Sequence, residues 1–302
     1  MKNADRQTRA HLMDLFEQHG FHPSTSLGQN FLIDLNLIDY LVTQADLGRD
    51  DIVLEIGTGT GGLTAAMAGQ AGEVVSVEVD RKVHELAQEA CAGLTNVTLL
   101  LTDALKNKNH FSPVVIDCLV DKLAADPGRR LKLVANLPYC IATPVVSNLV
   151  ASGLPWELMI VTIQRELAMR MRAKPDSEFY GAISVWLQSQ CAVRVMKKLG
   201  PKVFWPRPRV ESAIVRLLPD PERRQQIEDR EFFHDFIRRL FTQRRKRIRS
   251  VLVGMYRKEV EKSAIDEAMN QVKMPEGVRA EELDVATLVA LGNAVGRIVR
   301  EY

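Results

Sequence analysis

Five short apolar runs mark the middle of the chain, each stopped by polar or glycine-rich residues. They are Ile52-Val53-Leu54-Glu55-Ile56, Glu73-Val74-Val75-Ser76-Val77-Glu78, Val97-Thr98-Leu99-Leu100-Leu101, Leu131-Lys132-Leu133-Val134-Ala135 and Leu158-Met159-Ile160-Val161-Thr162-Ile163. Their Val, Ile and Leu content predicts strands buried on both faces, and helix-like stretches such as residues 81–91 lie between them. Strands alternating with helices predict a parallel sheet covered on both sides, with ligands bound at the carboxyl ends of its strands. Upstream, residues 4–19 and 35–45 have helical spacing and flank a polar loop over 20–30. Downstream, Leu217-Leu218-Pro219-Asp220-Pro221 reads as a strand end and linker. Beyond residue 230, Phe232, Phe233, Phe236, Ile237 and Leu240 share one helical stripe. The pattern therefore predicts an α/β domain over 1–219 and a small all-helical domain over 220–302.

The first strand runs into Gly57-Thr58-Gly59-Thr60-Gly61-Gly62, in which Gly57, Gly59 and Gly62 satisfy G-x-G-x-x-G. Glu78 closes the second strand 21 residues after Gly57. Glycines let a ligand approach the backbone, and a carboxylate at that place can accept hydrogen bonds from two ribose hydroxyls. Both a nicotinamide dinucleotide and S-adenosylmethionine need these features. Glu55, just before the glycines, sits poorly beside a pyrophosphate and well near a cationic ligand. Asp103 follows the third strand, where its carboxylate either receives an adenine amine or caps a helix.

Asn136-Leu137-Pro138-Tyr139 ends the fourth strand, at the ligand-binding edge. Adenine N6 is a poor nucleophile because its lone pair is delocalised into the ring. The Asn136 side-chain oxygen and a backbone carbonyl can each accept one N6 hydrogen, which aims the lone pair at a methyl donor. Pro138 fixes the turn. The Tyr139 ring can stack on the base, a contribution of about 1–3 kcal/mol by analogy with single-stranded nucleic acid binding.

Charge sharpens the picture. The formal net charge is only +2, yet residues 201–260 hold 16 Lys and Arg against 8 Asp and Glu. Within them Arg238, Arg239, Arg244, Arg245, Lys246, Arg247 and Arg249 crowd seven cations into twelve residues. On one helix such a run repels itself, and a phosphate backbone relieves the repulsion. Arg244, Arg245, Lys246, Arg247 and Arg249 are thus the candidate RNA-binding residues. A target adenine must be unpaired or splayed out to enter a pocket, so a single-stranded loop is the expected substrate element. No stretch reaches the ~18 apolar residues of a membrane span. The polar first twenty residues do not read as a signal peptide, and Cys91, Cys118, Cys140 and Cys191 lack metal-ligand or disulfide spacing. A cytoplasmic enzyme without a metal is expected.

Taken together, these motifs resemble the small-subunit ribosomal RNA adenine N6,N6-dimethyltransferases over about residues 26–253. Leu27-Gly28-Gln29-Asn30-Phe31-Leu32 resembles the N-terminal signature, Glu55-Ile56-Gly57-Thr58-Gly59 the cofactor loop and Asn136-Leu137-Pro138-Tyr139 the catalytic loop. Phe204, Pro206, Pro208, Val210, Ser212 and Ala213 match F-x-P-x-P-x-V-x-S-A, and Phe241-Thr242-Gln243-Arg244-Arg245-Lys246 resembles the start of a basic helix. The resemblance implies a Rossmann-like S-adenosylmethionine-dependent methyltransferase domain with a helical RNA-binding domain. The implied substrate is ribosomal RNA in a small-subunit particle, and the implied enzyme is monomeric. It implies that Asn30 and Leu32 close over the cofactor, that Gly57, Gly59, Glu78, Asp103 and Asn136 line its cleft, and that Tyr139 and Phe204 hold the target adenine. The alternatives are a resistance-type methyltransferase of large-subunit RNA and a non-catalytic ribosome assembly factor. The chain departs from the family pattern in three places. Cys140 and Ala142 replace the usual Asn and Ser, residues 106–130 form an apparent insert, and the first twenty residues extend beyond the usual start.

Overall fold

The computed structural model describes residues 9–24 and 28–301. Leu27 of the N-terminal signature, and the expected helical start at residues 4–8, lie outside them. In chain order the elements are α1 (Arg9–Gln18), β1 (Phe31–Leu32), α2 (Leu35–Ala45), β2 (Asp51–Ile56), α3 (Gly62–Ala68), β3 (Glu73–Glu78), α4 (Arg81–Ala90) and β4 (Val97–Leu101). A small hairpin, β5 (Leu105–Asn107) and β6 (His110–Phe111), leads to α5 (Pro113–Ala124), β7 (Arg130–Asn136), α6 (Ala142–Ala151) and β8 (Trp156–Gln164). Then come α7 (Arg165–Met171), α8 (Ala182–Gln188), β9 (Cys191–Leu199), β10 (Phe204–Trp205) and β11 (Ser212–Pro219). The remainder is helical: α9 (Pro221–Gln225), α10 (Arg230–Phe241), α11 (Ile248–Tyr256), α12 (Lys262–Gln271) and α13 (Val285–Glu301).

Seven strands form one sheet in the order β4-β3-β2-β7-β8-β11-β9. The pairs β4·β3, β3·β2, β2·β7 and β7·β8 are parallel, and β11 runs antiparallel to β8. From β2 the chain winds to β3 and β4 on one side, then returns to place β7 on the other. That reversal opens a crevice at the carboxyl ends of β2 and β7, the position where such sheets take ligands. Alternate residues explain the continuous apolar runs. Val53, Val74, Val134, Ile160 and Ile214 pack under α2 and α3 with Leu41 and Met67. Ile52, Leu54, Val75 and Leu133 on the opposite face are buried as completely.

The chain divides into two compact units, Met1–Ala168 with Arg194–Leu218, and Met169–Val193 with Pro219–Tyr302. The sequence boundary at 219/220 therefore misses one excursion, because 169–193 packs with the helical unit. Tyr180 and Trp186 are the physical reason: both are buried, Tyr180 donates its hydroxyl to Leu283 O at 2.9 Å, and Trp186 stacks on His234 at 4.3 Å. In the same unit α10 and α13 approach so closely that a Cβ on Gly292 would meet Phe233 Cδ2 at 2.7 Å. The apparent insert is the β5–β6 hairpin followed by α5, whose Val115 and Leu119 are buried.

The N-terminal extension has a structural task. Phe16 of α1 packs against Phe21, Phe31 and Trp205 at ring distances of 4.8, 5.1 and 5.3 Å. Phe31 belongs to β1, which pairs antiparallel with β10 through Phe31↔Trp205 and Leu32↔Phe204. The helix thus braces the two-stranded wall that borders the crevice.

Candidate active site

The crevice is a cleft with about 730 Å³ of free space, its open mouth included. Asn30, Leu32, Gly57, Gly59, Glu78, Asn136 and Pro138 line it, together with Glu55 and Val79. Seven expected site residues from four separate chain segments therefore meet in one place. Gly57 and Gly59 adopt left-handed backbone angles, φ of +83° and +57°. A Cβ on Gly57 would stand 3.1 Å from Pro138 Cδ, and one on Gly59 3.3 Å from Phe31 Cδ1. The glycines therefore let the cofactor loop press against both the catalytic loop and the β1 wall.

Two carboxylates sit at the cleft. Glu55, on β2, accepts hydrogen bonds at one oxygen from Thr64 Oγ1 (2.5 Å) and Ser76 Oγ (2.6 Å). Burial pushes its pKa up to about 8, against the smaller opposing pull of those two hydroxyls. Glu78, at the end of β3, accepts from Gly59 N at 3.2 Å with one oxygen and from Val79 N and Asp80 N at 3.0 Å with the other. Burial raises its pKa, and the three backbone donors oppose the shift. Glu78 therefore ties the glycine loop to the turn after β3.

Asn136 is the last residue of β7. Its Nδ2 donates to Asn30 O at 2.9 Å, while its Oδ1 is buried and has no hydrogen-bond partner among the described residues. Asn30 in turn donates its own Nδ2 to Gly28 O at 3.0 Å. The N-terminal signature thereby turns the Asn136 amide so that its oxygen is left over. Leu137 is a core residue, 1% exposed, and its N–H donates to Thr162 O at 3.1 Å. Its contribution to the catalytic loop is packing.

Besides Leu137, three expected residues stand outside the cleft lining. Tyr139 is half-buried, and its hydroxyl shares a 2.5 Å hydrogen bond with Ser212 Oγ. Asp103 is exposed, and its Oδ1 accepts from Leu105 N at 2.9 Å. It stabilises the turn into β5, so the alternative reading as a helix cap gives way to a turn before a strand. Phe204 requires a correction. It is 1% exposed and packs in the core with Leu41, Met67 and Ile214, so neither ring face is open to a base. Pairing with Leu32 in β1 turns its side chain inward, which leaves Tyr139 as the open aromatic of the expected pair.

The basic run also differs from its expected form. Helix α10 ends at Phe241 and α11 begins at Ile248, so Arg244, Arg245, Lys246 and Arg247 occupy the turn between them. Arg244 is held inside its own unit: it donates to Glu178 O (3.1 Å) and Tyr180 O (2.8 Å) and pairs with Glu281 at 3.3 Å. Arg249 forms a bidentate pair with Asp266 at 2.5 and 2.7 Å. Arg245, Lys246 and Arg247 are exposed on the turn. The repulsion expected of a single basic helix does not arise, because a turn splits the run and Arg239, Arg244 and Arg249 each meet an acid and, for the first two, backbone carbonyls as well.

Sequence reading missed the hydroxyls that surround these groups. Thr58, Thr64, Ser76, Thr162 and Ser212 are all buried. The available signal was a lone polar residue inside an apolar run, as with Ser76 in β3 and Thr162 in β8.

Comparison with known proteins bears on the family and the fold. The family model described as ribosomal RNA adenine dimethylase matches residues 20–288. The ribosomal RNA small subunit methyltransferase A of Halothermothrix orenii is 33% identical over 285 residues, covering 93% of this chain and 91% of that protein. The protein of the same description from Pediococcus pentosaceus is 35% identical, covering 93% of this chain and 92% of its own length. Among solved structures, a dimethyladenosine transferase from Plasmodium falciparum superposes with a TM-score of 0.69 at 20% identity, covering 88% of this chain and 97% of that one. The 23S rRNA methyltransferase ErmE gives 0.61 at 23% identity, with 88% and 100% coverage. The last two likenesses carry the fold, a Rossmann-like methyltransferase sheet. The family match and the close relatives carry more: this chain belongs to the ribosomal RNA adenine dimethylase family.

Proposed function

We propose that this protein dimethylates the N6 amine of adenines in a loop of small-subunit ribosomal RNA, using S-adenosylmethionine. The observation that carries the reading is the buried, unpartnered Asn136 Oδ1 at the carboxyl end of β7. A buried acceptor left unpaired costs about 1–3 kcal/mol, a penalty that an N6–H donor removes.

The cleft residues fit the methyl donor. It supplies an electrophilic methyl group on a sulfonium, beside a cationic amine and a ribose. A cationic ligand favours the ionised forms of Glu55 and Glu78, and a pyrophosphate disfavours them, which weighs against the dinucleotide reading. Glu78 accepts from ribose hydroxyls, Asn30 and Leu32 cover the ligand, and Gly57 and Gly59 admit it. Asp103, two residues beyond the Leu101 that pairs with Glu78, receives the adenine amine at the rim. Asn136 Oδ1 accepts one N6 hydrogen and the Pro138 turn orients a backbone carbonyl for the other. Tyr139 supplies the stacking face.

Arg245, Lys246 and Arg247 bind phosphates of the substrate, and the helical unit is the RNA-binding domain. High similarity over nearly the full length to small-subunit methyltransferases supports a small-subunit particle over large-subunit RNA. The intact catalytic loop supports an enzyme over a non-catalytic assembly factor. Among the described residues no helix is long and apolar enough to cross a membrane. We read the enzyme as a cytoplasmic monomer. The test is incubation with methyl-labelled S-adenosylmethionine and undermethylated small subunits, then digestion to nucleosides. Labelled N6,N6-dimethyladenosine is expected, and label confined to large-subunit RNA overturns the reading.

A further inference from the structure

We infer that Thr162 is a positioning residue for methyl transfer, acting through Asn136; the inference rests on the role proposed for Asn136. In the β7–β8 pairing Asn136 stands directly opposite Thr162. Residues paired in this way project to the same face, with side chains on the order of 5 Å apart at Cβ. Val134 and Ile160, the next pair inward on that face, belong to the core under α2.

Thr162 is 0% exposed, and its Oγ1 has no hydrogen-bond partner among the described residues. The neighbouring Asn136 Oδ1 is in the same condition. Valine has the same shape as threonine and fills that place without the cost of burying a hydroxyl. A hydroxyl kept there, among Leu158, Met159, Ile160, Val161 and Ile163, calls for a partner.

Oδ1 is an acceptor with two lone pairs, and Oγ1–H is a donor. The two are not bonded to each other in this structure; once the substrate amine engages Oδ1, Oγ1–H takes one lone pair and the amine takes the other. Asn30 O already holds Nδ2 from the opposite end. Two contacts then fix the plane of the amide and the end of it that faces the methyl donor. The Leu137 N–H to Thr162 O bond locks the two strands together at this point. Preorganising one acceptor in this way favours the transition state more than it favours binding.

Thr162→Val and Thr162→Ser separate this role from a packing role. Assayed on undermethylated small subunits, Thr162→Val should lower kcat about 10-fold, the size of one buried hydrogen bond. KM for the RNA and Kd for S-adenosylmethionine should move less than two-fold. The melting temperature should hold or rise, because an unpaired buried hydroxyl is gone. Thr162→Ser should restore most of kcat, and Thr162→Val added to Asn136→Ala should cost nothing further, since the two act as a unit. A Thr162→Val enzyme with wild-type kcat overturns the inference, as does a Thr162→Ser enzyme equally impaired. If Asn136→Ala is slow and Thr162→Val is not, this inference alone fails. If Asn136→Ala retains wild-type kcat, the role given to Asn136 fails and the inference falls with it.

Discussion

Asn136 and Asn30, 106 residues apart in sequence, are joined by a 2.9 Å hydrogen bond from the Asn136 side-chain nitrogen to the Asn30 carbonyl. The bond couples the wall of the cleft to the catalytic loop and points the amide oxygen away from Asn30. Asn136→Ala should therefore lose an acceptor that acts mainly in the transition state, at a cost of about 10²–10³ in kcat. RNA affinity should change little, because the rest of the surface is intact. Asn136→Ala turning over at the wild-type rate would show that the loop does other work.

Tyr139 and Ser212 share a part-buried hydroxyl pair, and burial raises the Tyr139 pKa, so the phenol keeps its proton at working pH. The ring is expected to serve the base, and the hydroxyl to hold the ring. Tyr139→Ala should harm both RNA capture and kcat. Tyr139→Phe and Ser212→Ala should each cost only about 1 kcal/mol of stability and retain most activity, and the double variant should lose no more than either. Thermal melts with single-turnover assays check this, and additive losses would mean that the two hydroxyls act separately.

Glu78 holds three backbone N–H groups, including that of Gly59, before it meets any ligand. Glu78→Ala should weaken S-adenosylmethionine binding roughly 10- to 150-fold, the range for hydrogen bonds to a charged group. It should also loosen the glycine loop. Glu78→Gln retains acceptor capacity at one oxygen and should fall between. Calorimetry showing wild-type affinity in folded Glu78→Ala would remove Glu78 from the site.

Glu55 has a pKa near 8 in the folded chain against an ordinary 4.5, so it keeps its proton where the unfolded chain is ionised. Its contribution to stability is full below 4.5 and is lost as pH rises through about 8. A cationic ligand favours the ionised form. S-adenosylmethionine should therefore displace this proton below pH 8, and its affinity should climb with pH by at most about one log unit per pH unit. Glu55→Gln should flatten the profile. Calorimetry at pH 7 in buffers of different ionisation heat checks it; equal proton release in the variant would assign the proton elsewhere.

The divided basic run predicts two phenotypes. Replacing Arg245, Lys246 and Arg247 by Gln should leave the fold intact and lower the log–log salt slope of RNA binding by about 2, at ~0.7 per phosphate contact. Arg244→Ala should instead destabilise the helical unit by about 1–3 kcal/mol, because two carbonyls and Glu281 lose their partner. Denaturant unfolding and salt-dependent binding separate them, and a wild-type salt slope in the triple variant would place the RNA contact elsewhere.

Local pattern alone carried the parallel sheet, the glycine loop and the place of Asn136 at a strand end, because continuous apolar runs and glycines act through neighbours in sequence. Strands read as 52–56, 73–78 and 97–101 form as Asp51–Ile56, Glu73–Glu78 and Val97–Leu101. The sequence also located both carboxylates and the basic segment. Tertiary structure decided what those residues face. Phe204 looks like a stacking aromatic until β1 pairs with β10 and turns it into the core. Arg244 and Arg249 look like RNA contacts until Tyr180, Glu281 and Asp266 arrive from distant segments. The partner of Asn136 comes from residue 30, and the unpaired hydroxyl beside it from residue 162. Hydrogen bonding and burial depend on distance in space, and for these residues that distance is set by strand order and chain crossings that no local period encodes.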